Sequence, residues 1–296
     1  MFLLADASHA TIFQFLLSEM IGSLCLVFIG NGTVACYELK KTKGATVTGR
    51  NGMNWLGVGI GYGFAVFVGV LCAGSSDHQI NPAATLNDIV ITIANKLGMS
   101  SNHGIKTIYN EVGNLWALWA IGAIVFQIIG AMLAQLLLDG IFILSFRETE
   151  DNGKIIAMHS TTRPKTDKSS KSTAIKVAFF EECIGTFFLL FSLKVAFGQL
   201  LPTTLAGEKD STMVLFWFAI TAGIIVMLLV ISSGSVTGPA LNPSRDLGPR
   251  IIFALLPLPN KDKNDAEWEY AWVPVFAPLT GGLMCGLLTL AIAAVQ

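Results

Sequence analysis

An all-α membrane protein built from two inverted halves is the fold class this chain predicts, and three observations carry it. The 296 residues are 53% hydrophobic and only 13% charged, against roughly 25% charged in soluble domains. A mean hydropathy of +0.62 over that length exceeds what one buried core supplies and requires several membrane spans. Two tripeptides, Asn81-Pro82-Ala83 and Asn242-Pro243-Ser244, open short apolar runs at matching places in the two halves.

A spanning helix needs roughly 20 apolar residues. Six stretches meet this: Ile12–Cys36, Trp55–Ala73, Leu115–Leu138, Val177–Phe197, Met213–Ser232 and Ala271–Val295. Two shorter runs, Asn81–Ala94 and Asn242–Leu256, cannot span but can reach the middle of a bilayer from one face. Each begins with Asn-Pro, a helix start. Asn caps the first free amides, and Pro fits the first turn because it has no amide hydrogen to satisfy. The expected architecture is therefore six transmembrane helices plus two re-entrant half-helices.

The order helix, helix, half-helix, helix is written twice. Glu19-Met20-Ile21-Gly22 recurs as Glu182-Cys183-Ile184-Gly185, a shift of 163. Trp55 pairs with Trp217 at 162, and Asn81 with Asn242 at 161. The third helices match at 151, Gln127-Ile-Ile-Gly130 against Pro278-Leu-Thr-Gly281, because the first half carries extra residues around Asn95–Asn114. Three spans per repeat is an odd number, so the second copy enters from the opposite side and the repeats are inverted. The segment Arg147–Ser172, polar and mixed in charge, reads as a solvated loop joining the halves.

Other classes recede. A net charge of −1 gives no sign of nucleic-acid binding. The five cysteines show no CxxC spacing, so neither a metal site nor a disulfide framework is expected. No nucleophile–base pair or metal-ligand cluster stands at a recognisable spacing, so neither an enzyme nor a cofactor is expected. The first ten residues hold no lysine or arginine, so no cleavable signal is expected.

Inverted half-helices meet amino end to amino end, each carrying about half a positive charge and several unpaired amides. Two such ends at one narrow passage repel cations and hydronium. Each Asn can cap with its oxygen and donate from its amide nitrogen into the lumen. A permeating oxygen that accepts both bonds points its own hydrogens away from the centre and breaks a proton wire.

On both Asn-Pro motifs, Glu-x-x-Gly in helices one and four, and the glycine-rich helices, the chain resembles the major intrinsic protein family, the aquaporins and glycerol facilitators. The run Asn242-Pro-Ser-Arg-Asp-Leu-Gly-Pro-Arg250, with Asp246 after the arginine, is similar to the glycerol-facilitator branch, as is Glu269-Tyr-Ala-Trp-Val-Pro274. The resemblance implies an aquaporin-like fold with one pore per subunit, usually in a homotetramer. It implies a single channel domain, 1–296, with repeat one at about 11–140, a connecting loop at about 147–175 and repeat two at about 176–296. It also implies that Arg245 belongs to an aromatic/arginine constriction. The other constriction positions fall at Tyr62 or Gly61, Val230 and Pro239, and Tyr62 alone of the first pair offers an aromatic face.

An arginine near the membrane centre is costly and so a functional candidate in its own right. Glu19 and Glu182 admit two readings: proton-relay carboxylates, or acceptors for backbone amides ahead of each half-helix. Their symmetry favours the second, since irregular backbone at membrane depth needs such partners. Backbone carbonyls around Asp77–Ile80 and Thr237–Leu241, including those of His78, Gln79, Gly238, Pro239 and Ala240, would then line the pore as acceptors.

The chain departs from the family pattern at Ser244, where Ala is usual, and at Gln79, where a histidine is usual and His78 stands one step off. Pro239 takes a place often held by an aromatic. With the family's cytoplasmic N-terminus, the outward loops hold 15 of the 19 Lys and Arg, against the positive-inside rule. The family orientation is retained because long loops escape that rule.

The expected function is passive passage of glycerol, small polyols and water through a bilayer, in a bacterial plasma membrane. A water-selective pore is the alternative, opposed by Asp246. A coupled secondary transporter is the second, since inverted repeats also build those.

Overall fold

The computed structural model describes residues 12–44, 54–74, 79–98, 107, 109, 112–197, 211–261 and 266–294. Eleven α-helices run along them: α1 Ile12–Glu38, α2 Asn54–Ala73, α3 Pro82–Lys96, α4 Trp116–Ile141, α5 Ile143–Glu148, α6 Asn152–Ala157, α7 Lys171–Val195, α8 Ser211–Ser232, α9 Pro243–Leu255, α10 Trp268–Ala271 and α11 Val273–Ala293. No strand occurs among the described residues.

Among the described residues, five spans are long and apolar enough to cross a membrane: Ile12–Glu38, Trp55–Ala73, Gly113–Ile141, Thr212–Ser232 and Trp268–Ala293. The sixth long helix, α7, has 25 residues but carries Lys176, Glu181, Glu182 and Lys194 along its length. It starts six residues before the expected Val177 because the Ser170 hydroxyl caps it, accepting from the Thr173 amide at 3.1 Å. The helices are polarised the opposite way from those of a soluble protein. Ile121, Phe180 and Leu228 lie on the outer surface, while Glu19, Asn31, Gln127, Gln135, Glu182 and Asp246 are buried. That is the pattern of a protein whose solvent is lipid.

The half-helices α3 and α9 have 15 and 13 residues. At about 1.5 Å per residue they stop well short of a ~30 Å hydrocarbon core. Each is cradled by a long helix of the other half: α3 packs on α11, and α9 on α4. Their carboxyl ends point outward and meet cations. Lys96 donates to the Gly113 carbonyl at 3.2 Å. Lys261 donates to the carbonyls of Phe253, of Ala254 at 3.0 Å and of Leu256 at 2.8 Å. Partial desolvation lowers the Lys261 pKa from its ordinary value. Those carbonyls are the negative end of the α9 dipole and favour the charged form.

Glycine lets the long helices touch backbone to backbone. A Cβ on Gly130 would overlap the Met20 carbonyl oxygen, and one on Gly281 would overlap that of Cys183. Met20 and Cys183 are the second residues of the two Glu-x-x-Gly motifs. The weaker 151-residue sequence match thus corresponds to a matched contact.

The segment expected to be a solvated loop is solvated only in part. Residues 165–172 are exposed, but Ile155, Ile156, Met158, His159, Ser160 and Thr161 are at most 2% exposed. Helices α5 and α6 fold this stretch inward, where the His159 ring packs on Phe146 and Phe253. The reason is local composition. Three large apolar residues and one imidazole sit among the polar residues and need cover.

Candidate functional site

The two Asn-Pro tips meet at the centre of the molecule. Asn81 and Asn242 hold extended backbone, φ −155° and −152°, and cap their helices from outside the first turn. Asn81 Oδ1 accepts from the Ala83 amide at 2.9 Å. Asn242 Oδ1 accepts from the Ser244 amide at 3.0 Å, the Ser244 hydroxyl at 2.8 Å and the Arg245 amide at 3.4 Å. Pro82 and Pro243 occupy the first helical positions.

The capping amides also bind the halves together. Asn81 Nδ2 donates to the Leu241 carbonyl at 2.9 Å, and Asn242 Nδ2 donates to the Ile80 carbonyl at 2.8 Å. The expectation that both amide nitrogens serve the lumen is therefore amended. One hydrogen of each closes this cross-link, and the second is left over. The carbonyl ladder is amended likewise, since the oxygens of Ile80 and Leu241 are engaged between the tips.

Ile80 and Leu241 have left-handed backbone, with φ of 47° and 52°. That region is strained for a residue with a side chain, most of all a β-branched one. Two carboxylates hold the strain. Glu19 accepts from the amides of Gln79 and Ile80, both at 2.8 Å. Glu182 accepts from the amides of Ala240 at 2.8 Å and Leu241 at 2.9 Å. Gln127 adds a bond to Glu19 at 2.8 Å, and the Thr237 hydroxyl one to Glu182 at 3.2 Å. Each carboxylate is fully buried and turned to backbone.

Two cavities adjoin at this centre. One, of about 520 Å³, is lined by Gln79, Ile80, Asn81, Val230, Ala240, Leu241 and Asn242 among others. The other, of about 590 Å³, is lined by Glu38, Trp55, Thr161, Arg163, Thr237 and Gly238 among others. Tyr62, Pro239 and Arg245 line both and form the partition between them. Arg245 Nη2 donates to the Tyr62 hydroxyl at 2.6 Å, and the guanidinium lies 5.0 Å from the Tyr62 ring centroid. Arg245 Nε and Nη1 are buried without a hydrogen-bond partner among the described residues. Nη1 stands 3.9 Å from Asp246, too far for a hydrogen bond. Gly61 packs on Thr33 of α1, so the structure puts Tyr62, not Gly61, against Arg245.

Asp246 faces away from the cavities. Its Oδ2 accepts from the Thr161 amide and hydroxyl, both at 2.7 Å. Its Oδ1 accepts from Arg250 Nε at 2.9 Å. Arg250 also donates to the carbonyls of Ala266 and Thr161, at 2.6 and 2.7 Å. The Asp246–Arg250 pair thus pins the infolded segment to α9. Asp77 and His78 lie outside the described residues. Gln79 spans between Asp88, to which its amide donates at 3.1 Å, and Tyr109, whose hydroxyl donates to it at 3.0 Å.

A sequence profile of the major intrinsic protein family matches residues 6–98 and 109–289. The chain belongs to the major intrinsic protein family. Curated relatives agree. Glycerol uptake facilitator protein-like 5 of Lactiplantibacillus plantarum is 33% identical over 270 residues, covering 90% of this chain and 92% of that one. The glycerol uptake facilitator protein of Streptococcus pneumoniae (strain R6) is 33% identical over 274 residues, covering 92% and 97%. The glycerol facilitator-aquaporin gla of Lactococcus lactis subsp. cremoris is 31% identical over 301 residues, covering 90% and 93%. The solved aquaglyceroporin of Plasmodium falciparum superposes with a TM-score of 0.67 over 97% of this chain and 100% of that one, at 23% identity, which speaks to the fold. A member of this family is a multi-pass membrane protein and a channel rather than an enzyme, and the bacterial relatives support a bacterial plasma membrane.

Several polar residues beside the family's pore escaped the sequence reading. Asn31, Gln135, Asp139 and Arg250 are all buried here. Asn31, Gln135 and Asp139 belong to no motif, and Arg250 closes the Asn242–Arg250 run without having been given a role. The available signal was that amide and charged side chains inside membrane segments are costly unless they have partners.

Proposed function

We propose that this protein is a passive channel for glycerol and other small neutral solutes, with water passing as well. The cross-linked Asn81 and Asn242 tips carry the reading, lining one of two cavities that adjoin at Tyr62, Pro239 and Arg245. Two helix amino ends and a guanidinium concentrate positive potential along one passage, which opposes cations and protons. The second amide hydrogens of the two Asn residues and the unpartnered Arg245 nitrogens are donors suited to solute hydroxyls. Apolar walls such as Val230 suit a carbon backbone. No covalent step occurs, and the gradient drives flux.

The same reading takes the chain as one channel domain of two repeats, about 11–140 and 176–296, joined by a loop at about 147–175. The paired contacts of Gly130 and Gly281 support that division. It takes the working unit as a homotetramer in a lipid bilayer with a cytoplasmic N-terminus. Glu19 and Glu182 act as supports for backbone, since each is occupied by two consecutive amides, which disfavours a coupled transporter.

Stopped-flow light scattering of proteoliposomes tests the function. A glycerol gradient should give shrinkage followed by fast re-swelling, and a sucrose gradient shrinkage alone. Flux should scale with the gradient and ignore ionophores. Arg245→Ala should keep solute flux while a pH-sensitive dye reports a new proton leak. If only water moves through the wild type, the water-selective alternative replaces this one.

A further inference from the structure

The Tyr62–Arg245 contact is one end of a longer chain of buried groups. Tyr62 donates its hydroxyl to Asn31 Oδ1 at 2.6 Å. Asn31, on α1 and fully buried, donates from Nδ2 to Gln135 Oε1 at 2.8 Å and to the His159 carbonyl at 3.1 Å. Gln135 Nε2 donates to Asp139 Oδ1 at 2.8 Å. His159 Nε2 lies 2.9 Å from the same oxygen. Every bond from Arg245 to Asp139 runs donor to acceptor in one direction, from a guanidinium to a carboxylate. Such aligned chains polarise each member toward the next.

The direction is forced by what each group can do. The Asp139 carboxylate accepts, so Gln135 turns its nitrogen there and its oxygen to Asn31. Asn31 then commits both amide hydrogens, to Gln135 and to His159, and only Oδ1 remains for Tyr62. A tyrosine hydroxyl has one proton. With that proton on Asn31, Tyr62 presents a lone pair to Arg245. Asn31 therefore decides which way the hydroxyl points at the partition between the cavities. It also ties that partition to the infolded segment through His159.

We propose that Asn31 is a positioning residue that determines specificity. By holding the Tyr62 hydroxyl it keeps Tyr62 on Arg245 and so sets the width offered to neutral polyols. This rests on the channel reading above. Without Asn31 the hydroxyl rotates, the ring is released, and the partition admits a longer polyol. A purely structural Asn31, knitting α1 to α4, would affect stability and leave selectivity alone.

The test is a double-mutant cycle on the full chain in proteoliposomes. Water, glycerol and erythritol permeabilities are measured for wild type, Asn31→Ala, Tyr62→Phe and the double variant. Water flux reports correct assembly. Asn31→Ala should raise the erythritol-to-glycerol permeability ratio roughly five-fold, the weight of one net hydrogen bond. Tyr62→Phe, nearly isosteric, should do the same, and the double variant should go no further, because the Tyr62–Asn31 bond is lost in both single variants. Where Asn31→Ala does not assemble, Asn31→Ser serves, since its hydroxyl falls a bond short of Tyr62. An unchanged ratio in the Asn31 variant, or effects that multiply in the double variant, overturns the proposal. If the wild type passes water but no glycerol, the functional reading falls. The positioning role is then judged by whether Asn31→Ala admits glycerol.

Discussion

The two half-helix tips are near twins at their caps and unlike in everything around them. Asn81 and Asn242 share φ, capping geometry and a reciprocal bond to the opposite carbonyl. Glu19 and Glu182 hold matching pairs of amides behind them. Beyond the caps the match ends. The first tip continues into Ala84 and Thr85, the second into Ser244, Arg245 and Asp246. Only the second carries a cation in its first turn, and only it is bound to the infolded segment, through Thr161. The shared parts place backbone at membrane depth, which both halves need equally. Of the unshared parts, Ala84 and Arg245 line the passage, where one constriction suffices and a second arginine would add self-repulsion, while Asp246 turns away to Thr161 and Arg250.

The comparison can be broken most severely at the helix crossings. Gly130→Ala and Gly281→Ala each set a Cβ against a backbone oxygen that cannot swing aside. Each should lower stability by about 3 kcal/mol or more, read as a fall in the thermal midpoint in detergent. The glutamates come next. Glu19→Gln and Glu182→Gln each replace an acceptor oxygen by a donor facing buried amides, at about 2 kcal/mol apiece. Similar losses in the two variants would sustain the twinning, and a loss in one alone would break it.

A smaller effect sharpens the asymmetry. Asn81→Ala and Asn242→Ala should each cost about 1 kcal/mol as lost caps. Asn242→Ala should cost more, because Asn242 accepts from three donors and Asn81 from one in its own helix turn. Ser244→Ala should be the mildest, within about 0.5 kcal/mol, with glycerol flux unchanged in the stopped-flow assay. The Ser244 hydroxyl does no more than supplement a cap that the backbone already makes.

The helices and caps were readable because their causes are local. An apolar run of 20 residues or an Asn-Pro start carries its own reason, and the second copy of each acts as a control. The helix α7 shows the limit. Its charges weaken the apolar signal that placed it at Val177–Phe197, and the repeat of Glu19-x-x-Gly22 at Glu182-x-x-Gly185 supports the reading. The segment at Arg147–Ser172 shows the opposite failure. Its polar average hid Ile155, Ile156 and Met158, whose burial depends on a cover of Phe146 and Phe253 that the local sequence does not announce. Gly61 and Tyr62 could not be separated by counting, because a one-residue ambiguity in spacing turns a helix by about 100°.

Composition, the two apolar half-runs and the internal repeat determined by themselves that this chain lies in a membrane and folds as two opposed copies. These properties follow from the hydrophobic pattern and from capping chemistry within a few residues. Only the tertiary structure decided that each capping amide grips the other half. Only it showed that Asp246 turns away to Arg250 and Thr161, and that Asn31 stands behind Tyr62. Those pairings join residues far apart in the chain. A buried polar group takes whichever partner the packed helices bring within about 3 Å.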